Sequence, residues 1–300
     1  MKISGKTVNK LKRNIAGYTF MLPLIIGVSV FSFWPIISSL IYSFHNYDGF
    51  MTYEFVGFKN YVNLFRNDVD GLGKVLSNTL IYAAVAVVLN LSLSYLLALS
   101  VSKQGRGVYA VRVLFYIPCV IPGVVMAAMW ADMLSENGAF NSILTSLGLP
   151  AFTFLEAPET SMITLFITNL WGLGSGMILW LAAFNNIPRT MYEAADIDGA
   201  KGFTKFVKIT IPMTTPTIFY NLITGVIGAL QYNGTLMLAP LSGRGYENSV
   251  YFMSVKIYRD AFLRMKFGYA SAAAWILFAI IGVLVIIMFR TSKWVFYGEE

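Results

Sequence analysis

Two residue types are almost missing from this chain, and each absence closes a class of chemistry. In 300 residues there is one cysteine, Cys119, and one histidine, His45. A single cysteine forms no intrachain disulfide and anchors no multi-cysteine metal centre. With His45 as its only companion, a zinc or iron site lacks ligands. His45 stands where the first apolar stretch ends, as an interfacial polar residue would. Charge is scarce too: 12% of residues are Asp, Glu, Lys or Arg, against about 25% in soluble domains. The balance is basic, net +7. The basic residues are spread between hydrophobic stretches, so they read as topology signals and not as a nucleic-acid surface. No acid pair, triad or metal cluster suggests an active site, so an enzyme is not expected. Ser4-Gly5-Lys6-Thr7 resembles the end of a phosphate-binding loop, but the earlier glycine and the preceding strand are missing.

What is plentiful is apolar sequence: 57% of residues, with a mean hydropathy of +0.64. Six charge-free runs, 14–44, 75–102, 113–131, 160–188, 209–243 and 267–289, reach the roughly 18 residues that a membrane span needs. The expected fold is therefore all-α and integral to a membrane, with six transmembrane helices near 17–44, 75–102, 113–131, 160–187, 212–238 and 267–289. A basic tail, 1–13, precedes the membrane domain 14–290, and a short tail, 291–300, follows it. Two runs exceed one straight span. Pro23, Pro35, Pro212 and Pro216 are expected to break or start helices there.

Lys2, Lys6, Lys10, Lys12 and Arg13 precede any acid, which predicts a cytosolic N-terminus and an uncleaved first span. Six spans then return the C-terminus to the cytosol. Fourteen of the 22 Lys and Arg fall on the inner side of that topology. The loop 244–266 opposes it, with Arg244, Lys256, Arg259, Arg264 and Lys266. No charged residue lies inside a span. Ion- and proton-coupled transporters usually need one, so a path of amides, hydroxyls and aromatics suits a neutral, hydroxyl-rich solute.

One segment breaks the apolar monotony. EAADIDGAKGFTKFVKITIP, residues 193–212, carries six charges in its first sixteen residues. It reads as two short helices joined by a turn, within a loop 188–212. Pro188 fits the first helical position. Gly199 sits where a helix ends in a left-handed residue. Phe203, Phe206 and Val207 recur at helical spacing. Small alanines on one face suit close docking into another protein's groove.

The residues Glu193, Ala194, Ala195, Asp198, Gly199, Ala200, Phe206, Ile209, Ile211 and Pro212 resemble the EAA loop of binding-protein-dependent ABC importer permeases. Ile211 stands where those permeases usually have Leu. The opening FMLPLIIGVSVFSFWPIISSLIYSFHNYD, then NTLIYAAVAVVLNLSLSYLLAL, then FYIPCVIPGVVMAAMWADMLSENGAFNSIL with Gly138 and Asn141, then FGYASAAAWILF, are similar to carbohydrate-uptake permeases. The subunit type is the one related to the larger permease of the maltose transporter. Where those permeases carry Thr-Gly-Gly-Gly-Pro, this chain has LSGRGYENS. The resemblance implies that the loop is a coupling helix docked on an ATP-binding subunit. Glu193, Ala194, Ala195, Asp198, Gly199, Ala200 and Phe206 would form it. It implies a second homologous permease, two copies of the ATP-binding subunit, an extracytoplasmic substrate-binding protein and surrounding membrane lipid. Nucleic acid is not expected as a partner. No cofactor is expected in this chain, with ATP and Mg held by the partner ATPase. The setting would be a bacterial cytoplasmic membrane, crossed several times.

For a sugar path, amides, hydroxyls and aromatic rings are the useful groups. Thr168, Trp171, Gly172 and Ser175 recur at 3–4 spacing, as one helical face would. Gln231, Tyr232 and Asn233 form a polar cluster inside an apolar run, with Asn221 earlier. The same residues could instead bind helices to each other, and Gly172-x-x-x-Gly176 reads equally as a close-packing motif. Three alternatives are an importer permease for another solute, a self-contained secondary transporter and a membrane enzyme. The EAA match argues against the second, and the missing catalytic constellation against the third.

Overall fold

A computed structural model describes residues 18–102 and 105–296. The basic tail 1–13 lies outside the described residues, as do residues 297–300 of the C-terminal tail. Four continuous helices are long and apolar enough to cross a membrane: α1 (Tyr18–Ser43), α3 (Leu72–Ser100), α10 (Gly202–Leu230) and α12 (Phe267–Arg290). Among the described residues, two bent pairs, each counted as one span, bring the number of crossings up to six. The first pair is α4 (Arg106–Val120) with α5 (Gly123–Met133), the second α7 (Pro158–Leu170) with α8 (Leu173–Asn185). Shorter elements are a hairpin of β1 (His45–Tyr47) and β2 (Tyr53–Phe55), α2 (Lys59–Arg66), α6 (Ala139–Ser146), α9 (Arg189–Ile197) and α11 (Met253–Tyr258). The fold is the expected all-α membrane architecture. The two-stranded hairpin was not foreseen.

The third span is not straight. Its halves meet at 99°. Pro122 explains the bend, because its ring excludes the helical region for Ile121 before it. Ile121 is accordingly extended, with φ −72° and ψ 130°. The fourth span bends by 46° at Trp171 and Gly172. There the turn closes by shorter-range bonds, Trp171 N to Thr168 O and Gly172 N to Asn169 O.

The prolines at 23, 35, 212 and 216 behave differently from expectation: α1 and α10 run through them. A wide π-turn precedes Pro35 at Ser29–Phe33 and precedes Pro212 at Phe206–Thr210. Such a turn gives room to a ring that would clash with an ordinary helix. At Pro216 the missing N–H would leave the Pro212 carbonyl without a donor. The Thr215 hydroxyl supplies one at 2.7 Å.

The described chain packs as two units. One holds α1, the hairpin, α2 and Asp260–Trp275. The hairpin is antiparallel, with His45 opposite Phe55 and Tyr47 opposite Tyr53. Asn60 holds it to the end of α1: its amide donates to the carbonyls of Ser43 and His45, both at 2.9 Å. Tyr61 adds a bond to Ser43 Oγ at 2.8 Å. His45 Nδ1 is bonded to the Ile41 carbonyl, and its ring is stacked on Tyr53.

The other unit runs from Asp68 to Arg259 and resumes at Ile276. Here α3 packs along α8 and α10, and α8 along α4. Tyr95, Ala98, Val101, Met177 and Trp180 form its core. Trp180 is fully buried, and its indole N–H donates to Ser94 Oγ at 2.8 Å. Close approach falls to Gly174 and Gly176 and not to Gly172. A Cβ at Gly174 would overlap the Phe115 carbonyl, and one at Gly176 would press on Ser94.

The basic loop that opposed the topology finds an internal explanation. Lys256 is fully buried and bonds Asp68 at 2.7 Å and Asp70 at 3.3 Å. Arg259 donates to the carbonyls of Leu241 and Ser242. In the other unit, Arg264 pairs with Asp260 at 2.7 Å.

Candidate functional site: cavities at the broken spans, and an exposed loop

Two cavities meet at the breaks in the second unit. The first, about 410 Å³, is walled by α3, α8 and α10, with Asn90, Ser94, Ser175, Asn221 and Thr224 among its polar groups. The second, about 580 Å³, lies under the α4–α5 bend, with Trp130, Thr168, Trp171 and Asn233 in its wall. Asn169, Gly172 and Tyr232 border both. Among the described residues, no charged side chain lines either one.

The breaks matter chemically. A helix end leaves carbonyls without partners, and a helix start leaves N–H groups. Near the two cavities α4, α7 and α10 end at Val120, Leu170 and Leu230, and α5 and α8 begin at Gly123 and Leu173. Backbone acceptors and donors therefore occur beside both cavities. A hydroxyl group both donates and accepts, so it can use both. Aromatic surface is present as well. Trp171, half exposed, stands edge-on to Trp130 at 5.7 Å between ring centres, and Tyr232 stacks on Tyr82 at 4.7 Å.

The sequence candidates separate on inspection. Tyr232 borders both cavities, Asn233, Thr168 and Trp171 the second, and Ser175 the first. Thr168 and Ser175 spend their hydroxyls on nearby carbonyls, Leu165 O at 3.0 Å and Gly172 O at 3.1 Å. The expected single face of Thr168, Trp171 and Ser175 is split by the break at 171–172. Gln231 is exposed and lines neither cavity. The cluster 231–233 is not helical: α10 ends at Leu230 and the chain turns there. Asn90, Asn169 and Thr224 were missed. Amides in charge-free runs were the available signal, since a buried amide needs a partner.

The loop 188–212 forms the second candidate surface. Pro188 is the residue before α9, not its first helical residue, with ψ 129°. Gly199 takes φ +71°. Around it the Ala200 N–H bonds Ala195 O and the Gly199 N–H bonds Asp196 O. This pair of bonds closes a helix end on a left-handed glycine. Glu193, Ala194 and Asp198 are exposed, Ala195 and Ala200 partly so. An ion pair between Asp196 and Lys205 ties the two short helices together. Tyr192 meets Thr210 at 2.9 Å. Ile197 and Phe203 stand out at 88% and 78% exposed. Phe206 differs from the rest: it packs inward on the Tyr95–Trp180 core and anchors the loop.

No protein-family model matches the chain. Individual relatives do. The chain is 33% identical over 293 residues to a probable ABC transporter permease, YesP, of Bacillus subtilis, covering 96% of this chain and 94% of that protein. It is 31% identical to the lactose transport system permease LacF of Rhizobium radiobacter, covering 95% and 97%. A chain of a solved bacterial alginate ABC transporter, in complex with an alginate pentasaccharide-bound periplasmic protein, superposes with a TM-score of 0.83 at 26% identity, covering 95% of this chain and 96% of that one. With apolar helices sufficient for several crossings and these relatives along its whole length, the chain belongs to the multi-pass permease subunits of ABC transporters.

Proposed function

We propose that this permease carries a neutral carbohydrate into the bacterial cytosol, coupled through residues 188–212 to a separate ATPase. The single observation that carries the reading is the uncharged pair of cavities at the span breaks, walled by amides, aromatic rings and helix ends. Relatives named for lactose, diacetylchitobiose and trehalose/maltose uptake support a sugar. Other relatives are named for sn-glycerol-3-phosphate, and the solved neighbour for alginate, an acidic polysaccharide. Cationic side chains would favour an anionic cargo, and among the described residues no Lys or Arg lines the cavities, which favours a neutral one.

In this reading the exposed edge of α9, with Glu193, Ala194 and Asp198, docks on the ATP-binding subunit, and ATP and Mg belong there. ATP-driven closure of that subunit pair shifts the permease between inward- and outward-facing states, a population shift set from outside this chain. The machine contains a second, homologous permease, two ATP-binding subunits and an external binding protein, and both termini of this chain face the cytosol. The test is sugar-stimulated ATP hydrolysis by the reconstituted complex. Trp171→Ala and Tyr232→Ala should lower stimulation at least tenfold while basal hydrolysis persists, and Gln231→Ala should match wild type. Equal loss from all three, or none from any, would remove the cavities from the transport path. Stimulation by a uronate oligosaccharide but not by neutral sugars would overturn the neutral cargo.

A further inference from the structure

Beyond the transport path, the first unit presents an apolar surface that its own packing leaves uncovered. Phe50 and Met51 at the hairpin tip are 78% and 94% exposed, and Phe55, Phe58, Val62 and Phe65 are exposed beside them. We propose that the hairpin β1–β2 and helix α2 form a platform seated in the lipid headgroup layer at the end of span α1.

Depth is the first argument. The span ends at Ser43 and β1 begins at His45, with one residue between. Asn60 and Tyr61 clip α2 back onto Ser43 and His45, and the Val56 N–H bonds the Phe44 carbonyl at 2.9 Å. Neither element can lift far from the level where the apolar span stops. The exposed aromatics thus continue the exposed apolar surface of α1, where Phe31, Phe33 and Trp34 also face outward.

The second argument is polarity. Sinking a loop tip into an interface strands its backbone N–H groups unless they have partners. At this tip they have them: the N–H groups of Phe50, Met51 and Thr52 all donate to one oxygen of Asp48, at 2.9, 3.0 and 3.0 Å. A single carboxylate thus satisfies the N–H groups of the Phe50–Met51 corner, whose side chains are apolar.

The third is the pattern on α2. Asn60 and Leu64 are buried against their own unit. Phe58, Val62 and Phe65, at spacings of four and three, share a face, and Lys59 and Arg66 flank it, both exposed. Aromatic rings with basic residues alongside are the composition that favours an interfacial helix, with long cations reaching lipid phosphates. A protein partner could also cover an apolar face. The continuity with the span surface and the flanking cations favour lipid.

The test uses the assembled complex in nanodiscs, in a Cys119→Ala background, with the fluorophore NBD on Met51→Cys, Phe65→Cys or the polar-loop control Glu136→Cys. Lipids carry a doxyl quencher at a shallow or a deep acyl position. The expected result is blue-shifted emission at 51 and 65, loss of most of it with the shallow quencher and less with the deep one, and no quenching at 136. Emission at 51 and 65 that is red-shifted and unquenched would overturn the proposal. So would blue-shifted emission that no lipid quenches, which would assign the surface to a protein partner. Either reading leaves the cargo and the coupling loop untouched.

Discussion

Lys256→Met is the sharpest perturbation the second unit offers. The Lys256 ammonium is fully buried, and its two carboxylate partners are nearly so, with side chains 5% and 4% exposed. Tyr251 adds a hydroxyl to Asp70 at 3.2 Å. The cluster ties α11 to the segment leading into α3, across 188 residues of sequence. Removing the lysine alone leaves two buried carboxylates near each other without their cation. Breaking a buried ion pair in this way costs about 3–5 kcal/mol. At roughly 2–4 °C per kcal/mol for a large domain, the apparent melting temperature of the purified complex should fall by roughly 6–20 °C. Replacing the whole cluster with neutral groups is a different experiment. Lys256→Met with Asp68→Asn and Asp70→Asn removes these three charges together, and such swaps are often neutral or stabilising. Melting of the three single and combined variants in detergent, by intrinsic fluorescence at one scan rate, separates the cases. The reasoning is refuted if Lys256→Met melts with wild type, or if the triple variant is no more stable than the single one.

Gly174→Ala should cost about 1–3 kcal/mol or more by overpacking and lower the yield of assembled complex, because its Cβ meets the Phe115 backbone; Gly172→Ala, whose nearest contact is ordinary, should fold normally. At Gly199 a Cβ would meet nothing within 4 Å, so the penalty is the φ of +71° alone, about 1–2 kcal/mol for an L-residue. Co-purification of the ATP-binding subunit should therefore weaken more with Gly199→Val than with Gly199→Asn, which tolerates that region. The Asp48 carboxyl, held by the Phe50 and Thr52 N–H groups and that of Met51, is lowered to about 2 from 3.8. A depressed carboxyl stabilises above its unfolded pKa, so the hairpin tip should be fully ordered above pH 4 and loosen as the pH falls toward 2. The ¹³C shift of the Asp48 carboxyl would follow that titration, and Asp48→Asn should abolish it.

The membrane architecture was legible because its signal is one-dimensional: a charge costs so much in lipid that gaps between charges mark the spans. The left-handed glycine at 199 was legible for a similar reason, since only local backbone geometry decides it. Where the spans break was much less legible. Pro122 and Gly172 stand in plain view, yet hydropathy is indifferent to direction and says nothing of a 99° turn. The turn after Leu230, which leaves Gln231 exposed, has no signature in hydropathy, because the apolar run continues past it. Lys256 was least legible of all. Its compensation comes from Asp68 and Asp70 far away in sequence, and nothing near position 256 announces it. Prolines misled in the opposite direction, since a π-turn absorbs the ring and the helix continues.

The π-turn at Phe206–Thr210 lies between the exposed loop and the long helix that follows. In such a turn one residue is surplus to the helical count. If the surplus passes toward the loop by a residue, the residue it crosses swivels by about 100° while hydrogen bonds are exchanged, not lost. Pro212 blocks the surplus from passing the other way, because its ring nitrogen has no hydrogen to close a new turn. Such a joint would act as a bearing with a stop: rotation delivered at the loop would be taken up on the loop side, and the helix beyond Pro212 would move as a rod.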